Sequence, residues 1–212
     1  MTTPNQTPAP TTTPTADPRP RLLAAARQIT PYVERAGLAD LDRPTPCPDW
    51  AVRDLLAHLV AVGRRIPHIL GGGHPFDLPS QVTGVADTGW VPAWTETLGA
   101  LEQALAEPGV LDRTVAHPAG ALPAPMALSV YVSELTVHGW DLASALGDTS
   151  GLDHTLAEES LEAVRRILPA EPRATERIPF GPVVAVPDDA PAYERLLGWY
   201  GRDPRWQAPQ ER

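Results

Sequence analysis

Residues Ser129 to Gly147, SVYVSELTVHGWDLASALG, read as an amphipathic helix at about 3.6 residues per turn. Tyr131, Leu135, Leu142 and Ala145 fall on one side, with Leu128 and Leu146 on its flank. Glu134 and His138 lie in the same stripe, four residues apart. A carboxylate in an apolar stripe is costly unless it is paired or holds a metal ion. Side chains at i and i+4 sit about 5–6 Å apart, so both can reach one ion. A chain with such a helix must pack other helices around it and find a partner for the acid. The pair is read as half of a metal site; an ordinary helix ion pair is the competing reading.

Other segments supply the surrounding helices. Residues 1–20 are dominated by Thr and Pro and read as a disordered tail, which leaves 21–212 as one domain. Arg21–Gly37 has Leu22, Leu23, Ala26, Ile29 and Val33 at helical spacing, and Pro31 predicts a kink or an early end. After the proline-rich connection DRPTPCPD, Asp49 is expected to cap a helix ending near Leu70. Its apolar arc holds Val52, Leu55, Leu56, Leu59, Ile66 and Leu70, with His58 at the edge beside Val62 and Ile69. Arg53, Arg64 and His68 face the opposite, solvated side. A long loop, Gly71–Thr88, precedes a third helix over Trp90–Glu107, and Pro108–Pro125 reads as another loop. A fifth helix spans about Asp153–Leu168, an extended piece lies around Val183–Val186, and a short helix covers about Ala190–Tyr200. Helices of this length without strong strands predict an all-α fold, a four-helix bundle with a short additional C-terminal segment.

Composition narrows the function. The formal net charge is −9 and no basic block stands out, which argues against nucleic acid and anionic membranes as partners. One cysteine excludes an internal disulfide framework and a cysteine-rich zinc fold. There is neither a membrane-length apolar run nor a secretory start, so a cytoplasmic protein is expected, monomeric or homodimeric, with a small-molecule substrate.

The candidate site is His58, Glu134 and His138, one ligand from the second helix and two from the fourth. Bundle sites are built from side chains on facing helices in this way. Three ligands leave a coordination position open, as in catalytic centres. Nitrogen and carboxylate donors suit Zn²⁺ best, with Ni²⁺, Fe²⁺ or Mn²⁺ as alternatives. Asp141, three residues after His138, could orient a ligand histidine; otherwise it faces solvent or pairs with an arginine such as Arg53. Trp140 points away from Glu134 on a helical wheel and reads as packing. Cys47, framed by prolines, reads as a buried small residue in a rigid turn rather than a nucleophile at a helix start. His68, His74, His117 and His154 have no ligand-like partner. GGGH at Gly71 lacks the Lys-Ser/Thr ending of a phosphate loop, and no G-x-S-x-G elbow is present.

Two segments, TPCPDWAVRDLLAHLV (Thr45–Val60) and ELTVHGWDLASALG (Glu134–Gly147), together resemble the mycothiol-dependent maleylpyruvate isomerase family, within the DinB/YfiT-like metal-binding bundles. The segment FGPVVAVPDDAPAYERLLGWYGRDP (Phe180–Pro204) is similar to the end of an actinobacterial subfamily of these proteins. The resemblance implies a divalent metal, usually zinc, on His58, Glu134 and His138. It also implies mycothiol as cosubstrate, its thiol activated for isomerisation or S-transfer on a small electrophile. Two other readings stand beside it. One is a metal-dependent cyclase, lyase or isomerase without thiol. The other is a non-enzymatic protein that binds metal or a small molecule. The isomerase carries a further C-terminal domain; here about 40 residues follow the fifth helix, too few for one.

Overall fold

The computed structural model describes residues 17–173 and 180–209. Most of the tail expected over residues 1–20 lies outside them. Six helices carry the fold: α1 (Arg19–Arg35), α2 (Val52–Leu70), α3 (Trp90–Leu105), α4 (Ala124–Ala145), α5 (His154–Arg165) and α6 (Ala192–Trp199). The first four make the bundle, α1 and α2 each packing against both α3 and α4. Helix α5 covers a further face of α4, and α6 packs on α5.

Helix α4 is the central element. Leu128, Leu135, Leu142, Ala143 and Ala145 are fully buried, and so are Ser133, Thr136 and Asp141. The buried hydroxyls turn back onto the helix: Thr136 Oγ1 donates to the Val132 carbonyl at 2.7 Å, and Ser133 Oγ to the Ser129 and Ser160 carbonyls, each at 3.3 Å. Helix α4 is therefore buried almost all round, because α5 covers the side that a plain four-helix bundle would leave to solvent.

Several boundaries depart from expectation. Pro31 neither ends nor shortens α1; it lies exposed one turn before the helix end, and its missing N–H takes one hydrogen bond, to the Arg27 carbonyl, from the ladder. Asp49 does not cap α2. It occupies the left-handed region (φ 65°) in the preceding turn, and Asp54 caps instead by accepting the Ala51 N–H at 2.9 Å. The stretch 108–125, expected to be a loop, contains a hairpin: β1 (Thr114–His117) pairs antiparallel with β2 (Gly120–Pro123). Four-residue strands are too short to show a period in sequence. The helix after it begins at Ala124, earlier than Ser129, with Pro125 in its first turn where proline fits. Helix α5 ends at Arg165, short of Leu168. Among the described residues no helix is long and apolar enough to cross a membrane.

Candidate metal centre

His58 is positioned by the loop that crosses α2. Arg65, one face of α2 further on, is buried and donates to the carbonyls of Pro75 (3.2 Å) and Pro79 (2.9 Å). The Val82 N–H donates to the Ala57 carbonyl at 3.1 Å, and Gln81 Nε2 to that of Asp54 at 3.2 Å. Held at both ends, the loop presents the Ser80 carbonyl to His58 Nδ1 at 2.8 Å. A carbonyl only accepts, so the ring proton is on Nδ1 and the Nε2 lone pair is free. That Nε2 is buried without a hydrogen-bond partner, 3.4 Å from Glu134 Oε1. A lone pair facing a carboxylate is repulsive unless a cation, a proton or a metal ion, lies between them.

His138 is oriented in the complementary way. Its Nδ1 lies 2.9 Å from Oδ2 of Asp141, a buried carboxylate that accepts the ring proton and leaves Nε2 as the free donor atom. Burial lowers the pKa of His138 despite the Asp141 hydrogen bond, which favours the neutral ring that a metal needs. One ligand atom from each of His58, Glu134 and His138 lies within 4.8 Å of the others. Helical spacing puts Glu134 and His138 on one stripe, and the fold sets the candidate His58 of α2 beside them. The donor set of two imidazoles and a carboxylate, with both outer ring nitrogens anchored, fits a divalent ion.

Asp141 neither faces solvent nor meets Arg53, which pairs with Asp42 and Asp87. Its carboxylate accepts from Arg202 Nε and Nη2, each at 2.8 Å, and from the Cys47 thiol at 3.2 Å. Arg202 and His138 hold its pKa far below the carboxylate range against the opposing effect of burial. Cys47, His138 and Asp141 could also group around a cation. There the Arg202 guanidinium already supplies the positive charge. Burial and the Asp141 charge push the Cys47 thiol up to about 12, so it is a buried donor rather than a nucleophile.

Sequence reasoning missed Arg202, Ser80 and the role of His117. Arg202 leaves the chain just after Gly201, which turns at φ +78°. A Cβ there would meet the Pro182 and Gly181 carbonyls at 2.9 and 3.0 Å, so glycine lets the C-terminal segment double back and aim the guanidinium inward. No feature of residue type set Arg202 apart from Arg195 and Arg205 in the same segment; only the turn at Gly201 does. Ser80 acts through its main chain, which leaves no mark on residue type. His117, expected to stand alone, lies on β1 and lines a cavity of about 350 Å³ together with Glu134, His138, Tyr200 and Arg202. A larger open groove of about 1040 Å³, lined by Trp140, Asp148 and Trp206, touches none of the three ligands. Trp140 packs there, 6% exposed, as its place on the helical wheel predicts.

The family model of the mycothiol maleylpyruvate isomerase N-terminal domain matches residues 22–143, more than half of the 212 residues. The chain belongs to this family. The matched span covers α1 to α3 and most of α4, and so includes all three residues of the mycothiol maleylpyruvate isomerase N-terminal domain family member's candidate centre. It stops before α5, α6 and Arg202. Two uncharacterized proteins, from two strains of Mycobacterium tuberculosis, are each 28% identical over 165 residues, 78% of this chain and 86% of theirs. The crystal structure of the mycothiol-dependent maleylpyruvate isomerase is similar at 14% identity with a TM-score of 0.47, over 70% of this chain and 68% of that one.

Proposed function

We propose that this protein is an enzyme holding a divalent metal ion, Zn²⁺ by preference, on His58, Glu134 and His138, and using it to act on a small electrophile with a mycothiol-type thiol. The observation that carries this reading is the buried, unpartnered Nε2 of His58 facing the Glu134 carboxylate. When bound, such an ion would lower the pKa of a thiol or water in its open position and polarise a carbonyl. Membership of a family named for mycothiol supports the choice of thiol.

The protein's own residues do the rest. Ser80 and Asp141 fix the two imidazoles so that both free lone pairs converge. Glu134 contributes the single negative charge among the three ligands. His117 accepts the Ala119 N–H at Nδ1 (3.1 Å), so its own proton sits on Nε2, and it offers that proton to a substrate oxygen in the cavity. Burial lowers the pKa of His117 and keeps the ring neutral. Addition of the thiolate to an activated carbon–carbon double bond would form a sulfur–carbon bond and break the π bond, whose electron pair moves onto the conjugated carbonyl oxygen; the thiol proton leaves to water, and water returns one to the α-carbon when the adduct is kept. The reaction is then an isomerisation if the thiol is expelled again, and an S-transfer if it stays.

Elemental analysis of the purified protein beside His138→Ala tests the centre. Stoichiometric metal in the parent and its loss in the variant, with helical content unchanged, is the expected result. Equal metal content in the two would refute the ligand set. Mycothiol consumption with a panel of electrophiles tests the chemistry, and a metal-loaded protein that consumes none of it would rule the thiol reaction out.

A further inference from the structure

The cavity beside the candidate centre is walled by Val130, Val137, Val164, Ile167, Leu168 and Phe180. Its volume of about 350 Å³ is at the small end of the range for sites that bury most of a ligand, about 300–1,000 Å³. Charge is scarce in it. Arg202 is the one arginine or lysine among the described lining residues, and it donates from Nε and Nη2 to Asp141, whose carboxylate offsets the guanidinium charge. That pair is buried and neutral as a unit, with Asp141 fully enclosed. His117 accepts the Ala119 N–H at Nδ1, which only a neutral ring can do. Glu134 adds one negative charge, so a divalent ion on the three ligands would leave one positive charge. A single thiolate would cancel it. Any carboxylate on the second reactant would then sit buried without a counter-charge, which its lost hydration makes unfavourable.

We infer that the cavity selects an uncharged, mainly apolar electrophile with one carbonyl-type oxygen, and discriminates against dicarboxylates. The apolar body lies against Val164, Ile167, Leu168 and Phe180, and the oxygen accepts a hydrogen bond from the His117 Nε2–H. Val164 at the end of α5, Ile167 and Leu168 just after it, and Phe180 in the C-terminal segment all lie outside the span matched by the family model. This part of the chain therefore sets specificity while α2 and α4 set the chemistry.

The inference rests on the reading of the centre given above, but its test does not need the metal. The full chain, stripped of metal, is titrated calorimetrically with benzylideneacetone, an uncharged aryl enone, and with fumarate, a dicarboxylate bearing a comparable double bond. The titrations are repeated with Zn²⁺-loaded protein. The expected result is at least tenfold tighter binding of the enone in both forms, about 1.4 kcal/mol. Phe180→Ala is expected to weaken the enone several-fold with the circular dichroism spectrum unchanged. Ile167→Lys, at a half-buried position that can accept a longer side chain, is expected to narrow or reverse the preference. Fumarate binding as tightly as the enone, or enone affinity unchanged in both folded variants, would overturn the inference. Failure of the metal reading shows up separately, as unaltered metal content in His138→Ala.

Discussion

At the residue scale, the centre depends on where two protons sit. His58 Nδ1–H donates a hydrogen bond to a peptide carbonyl, and His138 Nδ1–H donates one to the Asp141 carboxylate. The two anchors respond differently to mutation. Asp141→Asn removes the charge that supports His138 and is expected to weaken metal binding about 10–100-fold. It also leaves the Arg202 guanidinium buried without its anion, which costs about 3–5 kcal/mol and lowers the melting temperature. Ser80→Ala, in contrast, keeps the carbonyl in place and is expected to leave metal affinity within about twofold, since surface substitutions of this kind change little. Metal titration with a chromophoric competitor, together with thermal melts, separates the two effects. If Ser80→Ala proved as damaging as Asp141→Asn, the side chain rather than the peptide group would be holding His58.

At the scale of elements, the bundle is tight where α2 meets α3. A Cβ on Gly63 would meet Thr97 Cγ2 at 2.3 Å. Thr97 is buried and cannot turn away, because its hydroxyl donates to the Ala93 carbonyl at 2.8 Å. Alanine normally favours a helix over glycine by about 1 kcal/mol. Here Gly63→Ala is expected to destabilise by about 1–3 kcal/mol, because the clash exceeds the propensity gain. A melting temperature equal to or above that of the parent would show that α3 can shift. Helix periodicity made α1 to α4 legible, because each keeps an apolar set of Leu, Val and Ala at 3- and 4-residue spacing. The same period placed Glu134 and His138 on one stripe. What stayed hidden was non-local. The Arg202–Asp141 pair spans 61 residues, and the Ser80 contact uses an atom that every residue has. The β1–β2 hairpin lay inside a stretch of Pro, Gly and Ala whose composition reads as loop.

At the scale of the whole molecule, the site joins segments that are far apart in the chain: α2, the loop after it, α4 and the C-terminal segment. A ligand that binds only when these are assembled stabilises the fold by mass action. Metal at 100 times its dissociation constant is expected to add about 2.7 kcal/mol, or about 5–11 °C in melting temperature for a domain of this size. His58→Ala and His138→Ala should both abolish that increment, and an increment that persists in either would place the metal elsewhere. The segment after α5 takes part in the same assembly, since Arg202, Tyr200 and Phe180 all line the cavity. Tyr200 and Phe180 also pack ring edge to ring face, with centroids 5.7 Å apart.

The crossing of α2 by the polypeptide at Ser80 has one more consequence. The information that selects the imidazole tautomer at His58 is stored in backbone position, not in a side chain. A change of codon at residue 80 therefore rewrites the side chain without touching that instruction. Erasing it takes a shift of the path itself, as by shortening residues 71–88 or removing the guanidinium clamp of Arg65. Deletions in that stretch should be far more harmful than exchanges within it.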